Sequence, residues 1–465
     1  MNKMRIILEK VVGPENVSDD EYELIGYSKD ASADIRRVPS VIVRPRTTEQ
    51  VSMLVRLANR TKMPVMPRGG GSNVVGCLIE GAMVLDLTGM NKIIKIDEES
   101  CTVTAQAGIT WQELIMSLNR VGWTTGPRPH SAPTATLGGS VALCANGVTS
   151  AKYGLIGEQV VGLEVVLPTG EILRTGAGAN PSASNFIRYA FASDLTGLFI
   201  GSHGLFGVIT EVTMKIYPLP ETKKCLGYTF DTIEDATRAM RDIQLKHLPL
   251  ERMYLETPSS LKYFYPNLKA NAALVPIVVE GTEDETRISK HIVEEVCLGR
   301  GGKVIETNIL EEVSRNLDLI YFNVADYRAF GIGVNEVPLC SCVPTPYIPK
   351  IVKMFEQICE REDIEGYGII GAIDAFACKE HAVVSPLLHY EMKNNESANK
   401  CREVVKKLVI ALMDVGFTPH YLGRLKGPPE LLWKLGAYYE TLRTLKKTLD
   451  PNNVMNPGLL GMPEF

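Results

Sequence analysis

The sequence predicts an α+β fold in two parts, and three observations predict it. Three Gly-rich stretches punctuate alternating strand and helix patterns up to about residue 220: PRGGGSNVVG at Pro67–Gly76, TLGGSVALCANG at Thr136–Gly147 and DLTGLFIGSHGLFGVITEVTMKIYP at Asp194–Pro218. From about Glu221 the order becomes β-α-β-β-α-β, a ferredoxin-like unit, and a second set of strands and helices follows it. With 465 residues, 45% of them hydrophobic and 22% charged, the chain can bury two or three cores and disorder is set aside. The expected layout is a ligand-binding domain of two subdomains over 1–220 and a cap domain over 221–416, with an antiparallel sheet and flanking helices. Residues 417–465 are expected to return to the first domain.

Thr47 and Gln50 make a capping-box pattern before Val51, Leu54, Val55 and Ala58, whose i, i+3, i+4, i+7 spacing predicts a helix of about four turns. Pro64–Met66 reads as a strand feeding the first Gly-rich loop, with further strands at Met83–Leu87 and Cys101–Ala107. A second helix has Thr110 and Glu113 as its box and Trp111, Leu114, Ile115 and Leu118 as its buried face. Val208, Thr210, Val212, Met214 and Ile216 alternate with Glu211, Thr213 and Lys215, predicting a half-buried strand that ends the domain. Beyond it, strands are expected at Leu226–Phe230, Arg252–Glu256, Leu274–Glu280 and Lys303–Glu306, with helices at Ile233–Ile243 and Glu283–Leu298. Strands at Val337–Val343, Tyr367–Ala377 and Ala382–Glu391, with helices at Ile348–Cys359 and Ala398–Val415, are expected to extend one continuous antiparallel sheet. A last helix, Glu430–Leu449, should stop at Asp450-Pro451.

A formal net charge of −5 with interspersed basic and acidic residues gives no electrostatic footprint for nucleic acid. Glu9 and Lys10 interrupt any secretory apolar region, and nowhere do eighteen apolar residues run together, so a cytoplasmic protein is expected. The ten cysteines are scattered and none forms Cys-x-x-Cys, which argues against a zinc ribbon or an iron–sulfur cluster. Electrons leaving through such clusters would need another polypeptide.

A Rossmann site would place G-x-G-x-x-G between a first strand and helix, with an acid about 20 residues on. Here the glycines sit in three separated loops, which fits an extended cofactor contacted mainly by backbone. Gly69, Gly70, Gly71, Ser72, Asn73 and Gly76, flanked by Pro67 and Arg68, are the expected diphosphate contacts.

Together with PSVIVRPRTTEQV (Pro39–Val51) and LDPNNVMNPG (Leu449–Gly458), these stretches resemble the FAD-dependent family of glycolate oxidase and D-lactate dehydrogenase flavoproteins, of the vanillyl-alcohol oxidase type flavin fold. The likeness runs from about Pro39 to the C-terminus and is strongest in the flavin domain. It implies FAD held by the first loop and by Pro129, His130, Thr136, Gly138, Gly139, Ala142, Asn146 and Gly147, then Gly204, Gly207, Val208, Ile209 and Asn456. The FAD should be non-covalent, because Asn73 stands where some relatives carry a flavin-linking histidine. It also implies an iron–sulfur or electron-transfer flavoprotein partner, and leaves a homo-oligomer open.

In the substrate half the family carries a metal strand, Gly-His-x-Gly-Asp-Gly-Asn-x-His, and a later Glu-His-Gly. Cys378 and Ser385 occupy the histidine positions, His381 the aspartate and Pro419 the glutamate, so no metal is expected at that site. His420 is retained, where the family's proposed base lies, and Arg328 in ADYRAF takes the place of the arginine that grips a substrate carboxylate. His381, His389 and Glu391 share one strand face by even spacing. They read as a base with a polar pocket, as a rebuilt metal site, or as ordinary strand residues. Tyr327, Tyr390 and Tyr421 are candidates for the pocket wall. The resemblance implies an FAD-dependent dehydrogenase transferring hydride from a lactate- or glycolate-like 2-hydroxy acid. The departures leave open a phenolic or other non-acid alcohol, or an electron-transfer subunit.

Overall fold

The computed structural model describes residues 2–264, 273–305, 334–420, 422–426 and 429–463. Its first sheet is small and mostly parallel: Val41–Val43 and Val65–Arg68 flank Met83–Asp86 in parallel, and Val17–Ser18 closes one edge antiparallel. Parallel strands need a crossover, and helix Thr48–Thr61 supplies the one from Val41–Val43 to Val65–Arg68, with Val51, Leu54, Val55 and Ala58 buried as their spacing predicts. Thr47 accepts from the Gln50 amide, but the Gln50 side chain accepts from the Arg46 N–H, so the expected box is half formed.

The second sheet is antiparallel, in the order Ile93–Asp97, Thr102–Gln106, Val208–Pro218, Val160–Val166, Ile172–Arg174, with Trp123–Thr125 also pairing to Val208–Pro218. Helix Trp111–Asn119 has a complete capping box between Thr110 and Glu113. Val208–Pro218 is buried over most of its length rather than on one face, because it lies centrally in its sheet.

The third sheet is the expected continuous antiparallel one. Its order is Lys303–Val304, Thr222–Phe230, Ala273–Gly281, Leu250–Glu256, Ile370–Cys378, His381–Glu391, Ser341–Val343, Thr418–Pro419, and Val334–Pro338 pairs with the far half of His381–Glu391. The single strand expected over Val337–Val343 is thus two, interrupted after Pro338, which has no N–H to continue a ladder. Similarly, the helix expected over Glu430–Leu449 is split into Pro429–Trp433 and Ala437–Leu449, with Gly436 between them at φ 53. One apolar cluster runs from Ile42 through Trp111 and Phe206 to Phe230, Phe355 and Leu412, joining the cap sheet to the Gly-rich half. After the last helix the chain lies against the first sheet: Val65 donates to the Val454 carbonyl and Asn456 donates back to Val65. No helix among the described residues is long and apolar enough to cross a membrane.

Candidate active site

A cavity of about 340 Å³ lies between the Gly-rich loops and the cap sheet. One side is Pro67–Val75, Pro129–Ser131, Thr136, Gly138–Ser140, Ala142, Asn146, His203, Gly204, Gly207, Ile209 and Asn456, so the three stretches separated in sequence converge on one space. They pack so tightly that side chains are excluded. A Cβ on Gly70 would sit 1.8 Å from the Thr134 carbonyl oxygen, one on Gly69 2.0 Å from Thr136 Oγ1, and one on Gly138 2.5 Å from Ala107 Cβ. Gly204, at φ +71, would put its Cβ 2.6 Å from Asn456 Nδ2.

Three of the expected contacts do not line the cavity: Gly76, Gly147 and Val208. Gly76 and Gly147 serve the loops, since the Gly76 carbonyl accepts from the Arg424 N–H and Gly147 packs on the Arg128 backbone. Val208 points to the opposite face of its strand from Gly207 and Ile209, into the core of the first sheet. Asn73 lines the cavity, but its side chain shapes the loop: Oδ1 accepts from the Val75 and Gly76 amides and Nδ2 donates to Asp30. The Arg68 guanidinium donates to the Lys29 carbonyl, and burial holds it below the usual arginine range. Asp30, which also accepts from the Cys77 amide, is a cavity residue that sequence reasoning missed.

The facing wall belongs to the cap sheet. Register places Glu256 opposite Asp374 and Asp374 opposite Ser385, one row across three strands, all reaching the cavity beside Tyr254, Phe376 and Leu387. Glu336 joins them and accepts from His389 Nε2 at 2.9 Å. Burial pushes the Glu256 carboxyl up to about 7. Asp374 is raised well above the ordinary range by burial and then by the neighbouring Glu256 and Glu336. None of these acids was expected at the site, although Asp374 and Glu336 are each the lone acid of their strands, IGAIDAFAC and VNEVP, and Glu256 ends the strand LERMYLE.

The expected catalytic groups fall elsewhere. His420 does not line the cavity: its Nε2 donates to the Cys144 carbonyl at 2.6 Å, and burial pushes its pKa down to about 4. His389 is buried behind Glu336, His381 lies at the other end of the same strand, and Glu391 is exposed. Eight residues of extended chain separate the two histidines by roughly 26 Å. They do not form one site, and no group of three or more His, Cys, Asp or Glu suited to a metal ion occurs among the described residues. Arg328, Tyr327 and Tyr421 lie outside the described residues. Tyr390 is buried, its hydroxyl accepting from Asn335, and is not in the cavity wall. His130 is in the wall, 3.5 Å from the Tyr254 hydroxyl and edge-on to Phe376, and burial with the nearby Arg252 and Arg128 lowers its pKa to about 4.

Among the described residues, Asn456 Oδ1 and His203 Nδ1 are buried without a hydrogen-bond partner, and both residues line the cavity. Buried polar groups are rarely left so unless a ligand, an ion or a water satisfies them. A backbone-walled cleft with such atoms fits FAD. Comparison with known proteins agrees. The chain matches the FAD binding domain family over residues 39–176 and the family of C-terminal domains of FAD linked oxidases over residues 219–460. It is 28% identical to the glycolate oxidase subunit GlcD of Bacillus subtilis, over 97% of this chain and 95% of that one. It is 32% identical to the D-lactate dehydrogenase of Anaerostipes hadrus, over 96% and 92%. The crystal structure of p-cresol methylhydroxylase superposes with a TM-score of 0.86 at 20% identity, covering 99% of this chain and 97% of that one, which extends the likeness of fold beyond recognisable sequence. The chain therefore belongs to the FAD-linked oxidase family, and is an FAD oxidoreductase with the vanillyl-alcohol oxidase type flavin fold.

Proposed function

We propose that this protein is an FAD-dependent dehydrogenase that oxidises a 2-hydroxy acid or a related alcohol and passes the electrons to a partner protein. The observation that carries the reading is the cavity itself, in which the Gly-rich loops face a cap wall bearing ionisable and aromatic side chains. Pro67–Asn73, Thr136, Gly138, Gly139, Gly204, His203 and Asn456 would hold FAD, which supplies the two-electron acceptor when bound. Tyr254, Phe376, Leu387 and His130 line the facing space. A second reading, a phenolic or other non-acid alcohol, is favoured by Glu256, Asp374 and Glu336, which would repel a carboxylate where any of them is ionised.

Anaerobic mixing of the holoprotein with glycolate, D-lactate, L-lactate and vanillyl alcohol tests the reading. Bleaching of the flavin by the hydroxy acids supports the first substrate class, bleaching by vanillyl alcohol alone supports the second, and no bleaching overturns both. Two further results are expected. Acid precipitation should release all the yellow colour into the supernatant, as non-covalent FAD requires with Asn73 in the loop; colour kept in the pellet contradicts it. The reduced protein should react slowly with oxygen and faster with an artificial dye. Rapid stoichiometric peroxide formation in air would make the protein an oxidase with no need of a partner.

A further inference from the structure

We propose that the Glu256–Asp374 carboxyl pair on the cap sheet is the proton acceptor for the hydroxyl of the substrate, a role that rests on the alcohol-oxidising reading above. The two residues stand directly opposite on adjacent antiparallel strands, where same-face side chains meet, and both reach the cavity. Glu256 is 4% exposed, and its Oε2 has no hydrogen-bond partner among the described residues. A carboxylate oxygen kept dry and unsatisfied at a ligand cavity is an unused acceptor, and a substrate hydroxyl is the donor that would use it. His420, by contrast, is engaged with the Cys144 carbonyl behind the wall.

The surroundings tune the pair to that task. Two carboxyls sharing a dry site do not ionise together, so the pair holds one proton over a wide range and one negative charge near neutrality. The groups facing it are Ser260 from the helix that follows Glu256, Ser385 from the strand beyond Asp374, and Glu336 with His389 behind it. Arg252, two residues before Tyr254 on the same strand, lies with Arg128 near His130. Glu336 raises Asp374 further, leaving Glu256 as the member that ionises near pH 7, where a general base works best. In the reaction the C–H bond of the carbinol carbon breaks with its electron pair passing as hydride to FAD. The O–H bond breaks with its proton passing to the Glu256 carboxylate, and the C=O bond forms. The alcohol is oxidised by two electrons, FAD is reduced by two, and the proton later leaves to solvent.

The test uses the FAD-loaded full chain, with D-lactate, glycolate and vanillyl alcohol as probes in anaerobic stopped flow, and infrared spectroscopy of the substrate-free protein. The wild-type reduction rate should rise with pH through an inflection near 7. Glu256→Gln should lower it by on the order of 10²-fold and abolish the inflection at unchanged FAD content. Glu256→Asp should restore the inflection. Asp374→Asn, which replaces the protonated member of the pair with a neutral amide, should leave the inflection near 7. Independently of turnover, a protonated-carboxyl band should titrate away near pH 7 in the wild type, and no such band should titrate there in Glu256→Gln. A Glu256→Gln protein that reduces its flavin at the wild-type rate, or a wild type without that band, overturns the proposal and leaves the dehydrogenase reading standing. A wild-type flavin that none of the probes bleaches overturns the dehydrogenase reading, and the proton-acceptor role with it.

Discussion

Gly70→Val is expected to purify colourless. The Cβ it introduces would fall 1.8 Å from the carbonyl oxygen of Thr134, a backbone atom that cannot rotate aside as a side chain can. Relief requires the first Gly-rich loop to move away from the Thr134–Gly139 segment, and both line the cavity, so the two halves of the cofactor cradle come apart together. Gly70→Ala carries the same Cβ and should lose most of its FAD as well. Gly26→Ala is the control: a Cβ there meets nothing within 4 Å, and the residue lies in helix Glu21–Tyr27. Alanine is the better helix former, so this variant should keep its flavin. The flavin-to-protein absorbance ratio reads the result. Full occupancy in Gly70→Val would remove the loop from the FAD site.

What the sequence made legible was local. The Gly-rich loops declared themselves because glycines clustered at strand ends signal close backbone approach, and Trp111–Asn119 declared itself through a capping box and an apolar face within nine residues. What it hid depends on pairing across long separations. Asp30 reaches Asn73 and Cys77 from more than forty residues away, outside every motif. Glu256 and Asp374 meet only because strands 118 positions apart become neighbours. Even spacing put His381, His389 and Glu391 on one face, but a shared face says nothing about distance along the strand, and the strand's length keeps the histidines apart. His420 was placed by likeness to a family pattern whose adjoining ligands this chain has replaced with Cys378, Ser385 and Pro419. With those gone, its imidazole donates to a carbonyl instead of facing the cavity.

Asp450→Asn is expected to destabilise the fold by about 3–5 kcal/mol, the scale for stripping one partner from a buried ion pair. Lys446 and Asp450 are 3% and 2% exposed, one helical turn apart at the end of Ala437–Leu449. The Lys446 ammonium donates to Asp450, to the Leu205 carbonyl at 3.1 Å and to the Met455 carbonyl at 2.6 Å, and burial lowers its pKa despite the neighbouring charge. Asp450 in turn accepts from the Val454 and Met455 amides, which folds LDPNNVMNPG back along Val65. That turn delivers Asn456 to the cavity, where its Nδ2 donates to the His203 carbonyl at 2.6 Å. The asparagine variant leaves an ammonium buried without its counter-charge and weakens the turn, so FAD affinity should fall along with the denaturant midpoint. Adding Lys446→Met removes the stranded charge while filling its volume, and the double variant should be more stable than Asp450→Asn alone. If Asp450→Asn unfolds within about 1 kcal/mol of the wild type, an ordinary surface-pair effect, the ion pair is not what fixes the closing segment.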